Sequence, residues 1–95
     1  MLLIRSAVAG AVQRNDIFVR IAPAAAGEGI RISLQSPVAA QFGQAIEATI
    51  RATLADLGID DAAVEVEDQG ALDFAIRARV VAAVRRARGD CGDVS

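Results

Sequence analysis

The sequence contains no histidine and no lysine, and these two absences limit the chemistry that the chain can perform. Histidine is the commonest general base near neutral pH, and lysine is the residue that forms Schiff bases. All ten basic residues are arginine, whose guanidinium stays protonated at working pH. The composition therefore argues against an enzyme that works alone and predicts a non-catalytic chain.

Cysteine is nearly absent as well. The single residue, Cys91, lies in a polar C-terminal tail and has no second cysteine with which to form an internal disulfide, so no oxidising compartment is implied. Nothing near it would lower the pKa of its thiol, and we expect a free surface thiol. The sequence offers no set of metal ligands at the usual spacings, and no metal is predicted.

Long apolar runs and an excess of charge of one sign are also missing. No run approaches the roughly 20 apolar residues of a membrane span, and residues 1–5 are too short for a signal sequence. The formal net charge of −2 gives no attraction to phosphate backbones or anionic lipid. We expect a cytoplasmic protein that binds neither nucleic acid nor membranes.

The 95 residues suffice for one domain, 1–95, with an ordered part of about 6–88. Near its start, two apolar runs flank a polar cluster at residues 13–16, and the second run is rich in β-branched residues. This pattern predicts a β-hairpin that ends at Pro23. Asn15 and Asp16 suit its tip because their short side chains tolerate turn conformations.

The rest of the chain alternates between strand and helix patterns. Period-two alternation predicts strands at 30–35 and 64–67, and it places Glu65 and Glu67 outward. Ser36 and Pro37 predict the N-cap and first position of a helix that runs to about Leu57, where Gly58 stops it. A second helix is predicted over 71–88.

Each predicted helix has an apolar stripe that should face a core. In the first helix the stripe comprises Val38, Phe42, Ala45, Ile46, Thr49, Ile50, Leu54 and Leu57; in the second it comprises Leu72, Ile76, Val80, Ala83 and Val84, widened by Phe74 and Val81. The order strand, strand, strand, helix, strand, helix predicts an α+β two-layer sandwich. Its four-stranded sheet is mainly antiparallel, with both helices on one face.

Several short motifs resemble the acyl carrier protein, or gamma chain, of citrate lyase in that family's order and spacing, over roughly residues 6 to 88. They are Ala7-Val8-Ala9-Gly10, Asn15-Asp16, Val19-Arg20-Ile21-Ala22-Pro23, Gln41-Phe42-Gly43, Gly70-Ala71-Leu72 and Arg77-Ala78-Arg79. A classical helical acyl carrier bears its serine in an Asp-Ser-Leu motif, and no such motif occurs here.

The resemblance implies a subunit without catalytic residues that carries a phosphoribosyl dephospho-coenzyme A arm. A carrier synthase joins that arm by a phosphodiester to a serine at the hairpin tip. An alpha subunit, a transferase, exchanges acetyl for citryl on the terminal thiol, and a beta subunit, a lyase, releases oxaloacetate and regenerates the acetyl thioester. The carrier delivers a tethered thioester to both sites at high effective concentration.

The position that matches the modified serine is Arg14, flanked by Asn15 and Asp16. Attachment needs a hydroxyl oxygen that attacks phosphorus, and a protonated guanidinium offers none. The expected arm cannot be linked there. Ser6, the nearest alternative, lies eight residues upstream, about 25 Å away along an extended strand and at the wrong end of the hairpin.

Two further groups of charges carry hypotheses of their own. Arg77 and Arg79 lie in a motif that resembles the family, and they are candidates for a partner or phosphate contact, against an ordinary salt-bridged surface. An acidic stretch is better explained by a solvated strand edge than by a cation site, because its spacing fits no calcium loop. Its members are Asp60, Asp61, Glu65, Glu67 and Asp68.

The sequence leaves two functions open. The chain is either an acyl carrier of a citrate lyase complex that has lost its attachment position, or an unmodified structural or regulatory subunit of a lyase-like complex. An independent small-molecule-binding domain has less support, because no polar cluster converges on an apolar pocket.

Overall fold

The structure is a computed structural model, and it describes residues 3–89. Its elements follow the predicted order, which confirms the α+β class. They are β1 (Ala7–Gly10), β2 (Ile17–Pro23), β3 (Ile30–Gln35), α1 (Ala39–Asp56), β4 (Ala62–Asp68) and α2 (Asp73–Ala87). Cys91 and most of the predicted polar tail lie outside the described residues.

The four strands form one mixed sheet in the order β1-β2-β4-β3. β2 pairs antiparallel with both β1 and β4, whereas β3 pairs parallel with β4. The parallel pair follows from its connection, because α1 carries the chain from the end of β3 back to the start of β4. The sheet is mainly antiparallel, as predicted.

The core lies between the two helices and one face of the sheet. β2 and β4 alternate strictly, so that Ile17, Val19 and Ile21 face the helices together with Val64 and Val66. The helices contribute Ile46, Ile50, Leu54, Ile76, Val80 and Val84. The other face of the sheet is left open and carries Arg20, Glu65 and Glu67, as antiparallel sheets commonly allow.

The two ends of α1 differ in how well the sequence predicts them. A Schellman motif ends the helix as expected: Gly58 has a φ of 75°, its N–H donates to the Ala55 carbonyl, and the Ile59 N–H donates to the Leu54 carbonyl. The predicted start is wrong, because the helix begins at Ala39 and its N-cap is Val38. The Ser36 hydroxyl accepts the Val38 N–H at 3.2 Å ahead of the helix and donates to Asp68 at 2.8 Å.

Neither helix of the described part combines the length and apolarity that a bilayer-spanning helix requires.

Candidate functional site

The hairpin tip that joins β1 to β2 is a tight turn over residues 13–16. The Asp16 N–H donates to the Gln13 carbonyl at 3.0 Å, and Asn15 has a φ of 63°. A negative φ at Arg14 followed by a positive φ at Asn15 is the sign pattern of a type II turn. Asparagine suits this position because it visits the left-handed region more readily than most residues.

The base of the hairpin depends on Gly10, the last residue of β1. Its φ is 86°, and a Cβ at this position would overlap the carbonyl oxygen of Ile17. Only glycine therefore allows β1 to leave the sheet so close to β2. Gly10 therefore constrains the path by which the chain leaves β1, ahead of the turn at 13–16.

The tip is hydrogen-bonded to the residue that follows β4 as well as within its own hairpin. The Asn15 N–H donates to the Gln69 carbonyl at 2.7 Å, and the Gln69 N–H donates to the Asp16 carbonyl at 2.9 Å. These bonds continue the β2–β4 ladder past the pair of Ile17 and Asp68. The half of the tip that follows Arg14 is therefore hydrogen-bonded to the end of β4.

Asp16 connects the tip to α2 through a two-point ion pair with Arg79. Nε of Arg79 lies 3.2 Å from Oδ1 and Nη2 lies 3.0 Å from Oδ2. The Ile17 N–H also donates to Oδ1, at 2.7 Å. The Ile17 N–H and the Arg79 guanidinium together hold the pKa of Asp16 below its usual value.

Arg14 itself is exposed and forms no hydrogen bond or ion pair with any other residue of 3–89. It occupies the first central position of the turn, so its side chain projects from the end of the hairpin. Ser6 precedes β1 and lies at the opposite end of that strand, as the sequence predicts. The structure thus brings together Arg14, Asn15, Asp16 and Arg79.

Arg77 does not join this group. Its Nη2 contacts Oδ2 of Asp56 at 2.9 Å and links α2 to α1, with about half of each side chain exposed. Residues two apart on a helix face different directions, which explains why Arg77 and Arg79 have separate partners. Both guanidinium groups pair within the chain, and a partner or phosphate contact at either stays a prediction.

The members of the acidic stretch lie in different places, with Asp60 exposed in the segment before β4. Oδ1 of Asp61 accepts the N–H groups of Gly27 and Gly29, at 3.0 and 2.7 Å, and Glu65 and Glu67 lie on the open face. Within residues 3–89 no group of three or more histidine, cysteine, aspartate or glutamate side chains is arranged to hold a metal ion.

The prediction of a solvated edge is wrong for Asp68, which is 1% exposed. Its carboxylate accepts the Ser36 hydroxyl and the Ala71 N–H, the latter at 2.9 Å. Asp68 therefore joins the end of β4 to the segments that lead into both helices. The alternation of β4 could have revealed this, because Asp68 has the same parity as Val64 and Val66.

The predicted helix stripes are wrong near the starts of the helices, where Ala45 and three larger apolar residues are exposed. Phe42 is 49% exposed, Leu72 63% and Phe74 73%, although each was expected to face the core. Phe42 and Leu72 line a groove of about 480 Å³ between the starts of α1 and α2, which we call the tip-side groove. Its other lining residues are Val38, Ala45, Ile46, Asp68, Gly70, Ala71, Asp73 and Ile76.

Comparison with known proteins agrees with the motifs. A family model described as ACP, "Malonate decarboxylase delta subunit (MdcD)", matches residues 4–87. Citrate lyase acyl carrier protein 2 of Salmonella typhimurium is 48% identical over 87 residues, which covers 92% of this chain and 89% of the relative. The citrate lyase acyl carrier protein of Lacticaseibacillus casei is 49% identical over 81 residues, 85% of this chain and 78% of the relative. The chain belongs to the citrate lyase acyl carrier protein family.

As a citrate lyase-type acyl carrier, the chain is a non-catalytic subunit of an enzyme complex, which confirms the expectation from its composition. A structural relative supports the fold independently. A chain in the crystal structure of a Pseudomonas malonate decarboxylase hetero-tetramer in complex with malonate has a TM-score of 0.66 and 19% identity, over 92% of this chain and 88% of that chain. At this identity the similarity shows that the two chains share a fold.

Proposed function

We propose that this chain occupies the place of the carrier subunit in a cytoplasmic citrate lyase complex but bears no prosthetic arm at its hairpin tip. The observation that carries the proposal is Arg14, exposed at the first central position of the tip turn in a chain of the carrier family. The resemblance described above implies a serine there, and a guanidinium cannot form the phosphodiester.

The contacts that hold the tip in place are present although Arg14 cannot carry the arm. They favour a role for the shape of the tip that does not depend on a prosthetic group. Gly10, Asn15 and the Asp16–Arg79 pair fix the turn, and the Asn15 and Gln69 backbone hydrogen bonds attach it to the sheet. A tip held in this way still enters the site of a partner as a rigid element. The alpha and beta type subunits of a citrate lyase complex are the partners that we propose.

The first test is the intact mass of the chain purified from its own host. We expect the mass of the bare polypeptide. The Arg14→Ser variant, expressed with a citrate lyase type carrier synthase and the phosphoribosyl dephospho-coenzyme A precursor, should gain the mass of the arm. Arg14→Ala under the same conditions is the matched control, because it removes the guanidinium without supplying a hydroxyl.

The outcomes separate the two functions left open by the sequence. A prosthetic group on the unaltered chain would contradict the proposal and direct attention to Ser6 or another hydroxyl. Modification of Arg14→Ser would show that only the attachment residue has changed. An unmodified Arg14→Ser chain that still assembles with the lyase and transferase subunits would favour the structural or regulatory subunit.

A further inference from the structure

The exposed apolar residues of the described part are concentrated at one end of the molecule. Four of the six large ones lie next to the hairpin tip or at the starts of the helices, and Ile4 and Val8 lie elsewhere; the four are Val12, Phe42, Leu72 and Phe74. Large exposed apolar patches on otherwise folded proteins mark interaction sites. This concentration therefore points to a surface that is covered in the assembled complex.

The phenylalanines support the same inference. The chain has three, and none belongs to the core: Phe18 lies on the open face of the sheet, and Phe42 and Phe74 are about half exposed or more. Aromatic residues are enriched in protein–protein interfaces, where they bury a large area at low entropic cost. Two of the three stand at the tip-side end.

The tip-side groove is continuous with the hairpin tip. Gly70 lines the groove, and a Cβ added to it would lie 3.5 Å from the side-chain oxygen of Asn15. Gln69, which precedes Gly70, exchanges backbone hydrogen bonds with Asn15 and Asp16. An enzyme subunit that receives the hairpin tip therefore has the groove directly beside the tip.

We propose that the tip-side groove is the docking site for an apolar segment of the enzyme subunit that receives the hairpin tip. This inference rests on the proposed function. Phe42 and Leu72 are the residues expected to bury most of their exposed area on docking.

The chemistry of the groove favours a protein segment over an acyl cargo. Asp68 and Asp73 are the only charged side chains in its lining. Both carboxylate oxygens of Asp68 already accept hydrogen bonds, from the Ser36 hydroxyl and the Ala71 N–H. Small-molecule sites depend on a few free polar groups that orient the ligand. Asp73 would also repel a citryl group, which carries carboxylates of its own.

The test measures the affinity of the chain for the purified alpha and beta subunits of its own host's citrate lyase complex. Phe42→Ser and Leu72→Ser should each weaken binding to one of these subunits by about tenfold or more, as expected for residues near the centre of an interface. Ile4→Ser and Val8→Ser are matched controls, because they remove comparably exposed apolar side chains from the rest of the surface. They should change binding less than about threefold. Thermal unfolding of all four variants verifies that each is folded.

Each other outcome overturns the inference in a distinct way. If the unaltered chain binds and the groove variants bind equally well, docking does not use the groove, while the proposed function stands. If the unaltered chain binds neither subunit, both proposals fall. Self-association of the isolated chain that Leu72→Ser abolishes would assign the groove to a second copy. Acetyl-CoA that shifts the nuclear magnetic resonance signals of Phe42 and Leu72 in the isolated chain would assign it to the cargo.

Discussion

At the scale of the residue, two glycines with similar φ values are glycine for different reasons. Gly10 and Gly27 have φ values of 86° and 89°. A Cβ at Gly27 would meet nothing within 4 Å, whereas one at Gly10 would overlap the Ile17 carbonyl. An alanine at Gly27 therefore costs only the left-handed conformation, and one at Gly10 also requires the hairpin to move.

Gly27→Ala and Gly10→Ala separate these two costs. We expect Gly27→Ala to lower the free energy of unfolding by about 1–2 kcal/mol, the cost of a left-handed conformation for an L-residue. Gly10→Ala should lower it by about 2–5 kcal/mol, because overpacking adds to the same cost. Urea denaturation of the two variants measures the difference. Equal losses would show that β1 relaxes away from β2 without penalty.

At the scale of the element, the hairpin depends on α2 through the ion pair between Asp16 and Arg79. Since the folded-state pKa of Asp16 is lowered, the carboxylate contributes stability above its unfolded pKa of about 3.9. This contribution is lost as the pH falls through the folded-state pKa. The link between the tip and the helix therefore weakens only in acid.

Asp16→Asn tests this dependence. We expect the variant to be less stable than the unaltered chain at neutral pH, and the difference between the two to shrink as the pH falls below about 4. Denaturation at a series of pH values provides the measurement. Asp56→Asn is the control, because it removes the partner of Arg77. That carboxylate is more exposed than the carboxylate of Asp16, so this variant should lose less stability at neutral pH. A gap between the Asp16→Asn variant and the unaltered chain that widens in acid would contradict the assignment.

The elements also show what a sequence can and cannot predict. Gly58 and Pro23 end their elements through local backbone rules, so the ends of α1 and β2 were predictable. The start of α1 was less predictable, because Ser36 accepts the Val38 N–H ahead of the helix and also donates to Asp68, a residue 32 positions away, and the helix begins only at Ala39. Periodicity shows which side of a helix is apolar, but it does not show how far a neighbouring element extends. That is why Phe42 and Leu72 were assigned to the core.

Within the site, family motifs located the hairpin tip, and backbone preferences of Asn15 explained its turn. The pairing of Arg79 with Asp16 could not have been predicted, because it depends on how α2 packs across the hairpin. The tip-side groove could not be predicted either, because it depends on how far apart the first turns of the two helices lie in the folded chain.

At the scale of the whole molecule, the core is aliphatic. Ile50 is fully buried between the helices and the sheet, whereas Phe74 is 73% exposed. Ile50→Ala should therefore lower the free energy of unfolding by about 2–5 kcal/mol through the lost burial and the cavity that remains. Phe74→Ala removes a larger side chain but should change the free energy of unfolding by less than about 0.5 kcal/mol, because that side chain lies on the surface.

Chemical denaturation of these two variants distinguishes a core residue from a surface one. The loss expected for Ile50→Ala is a large share of the total stability of a domain of this size, about 5–10 kcal/mol. A substantial loss for Phe74→Ala would contradict its placement on the surface.

The strand order has a consequence for how the chain is made. β4 lies between β2 and β3, yet it is the last of the four strands to leave the ribosome. Until it emerges, a nascent chain holds one two-stranded hairpin and one solitary strand, and neither arrangement is stable by itself in water. Translation therefore produces most of the protein before any sheet can close, and a prematurely terminated product that lacks β4 has no smaller fold to adopt.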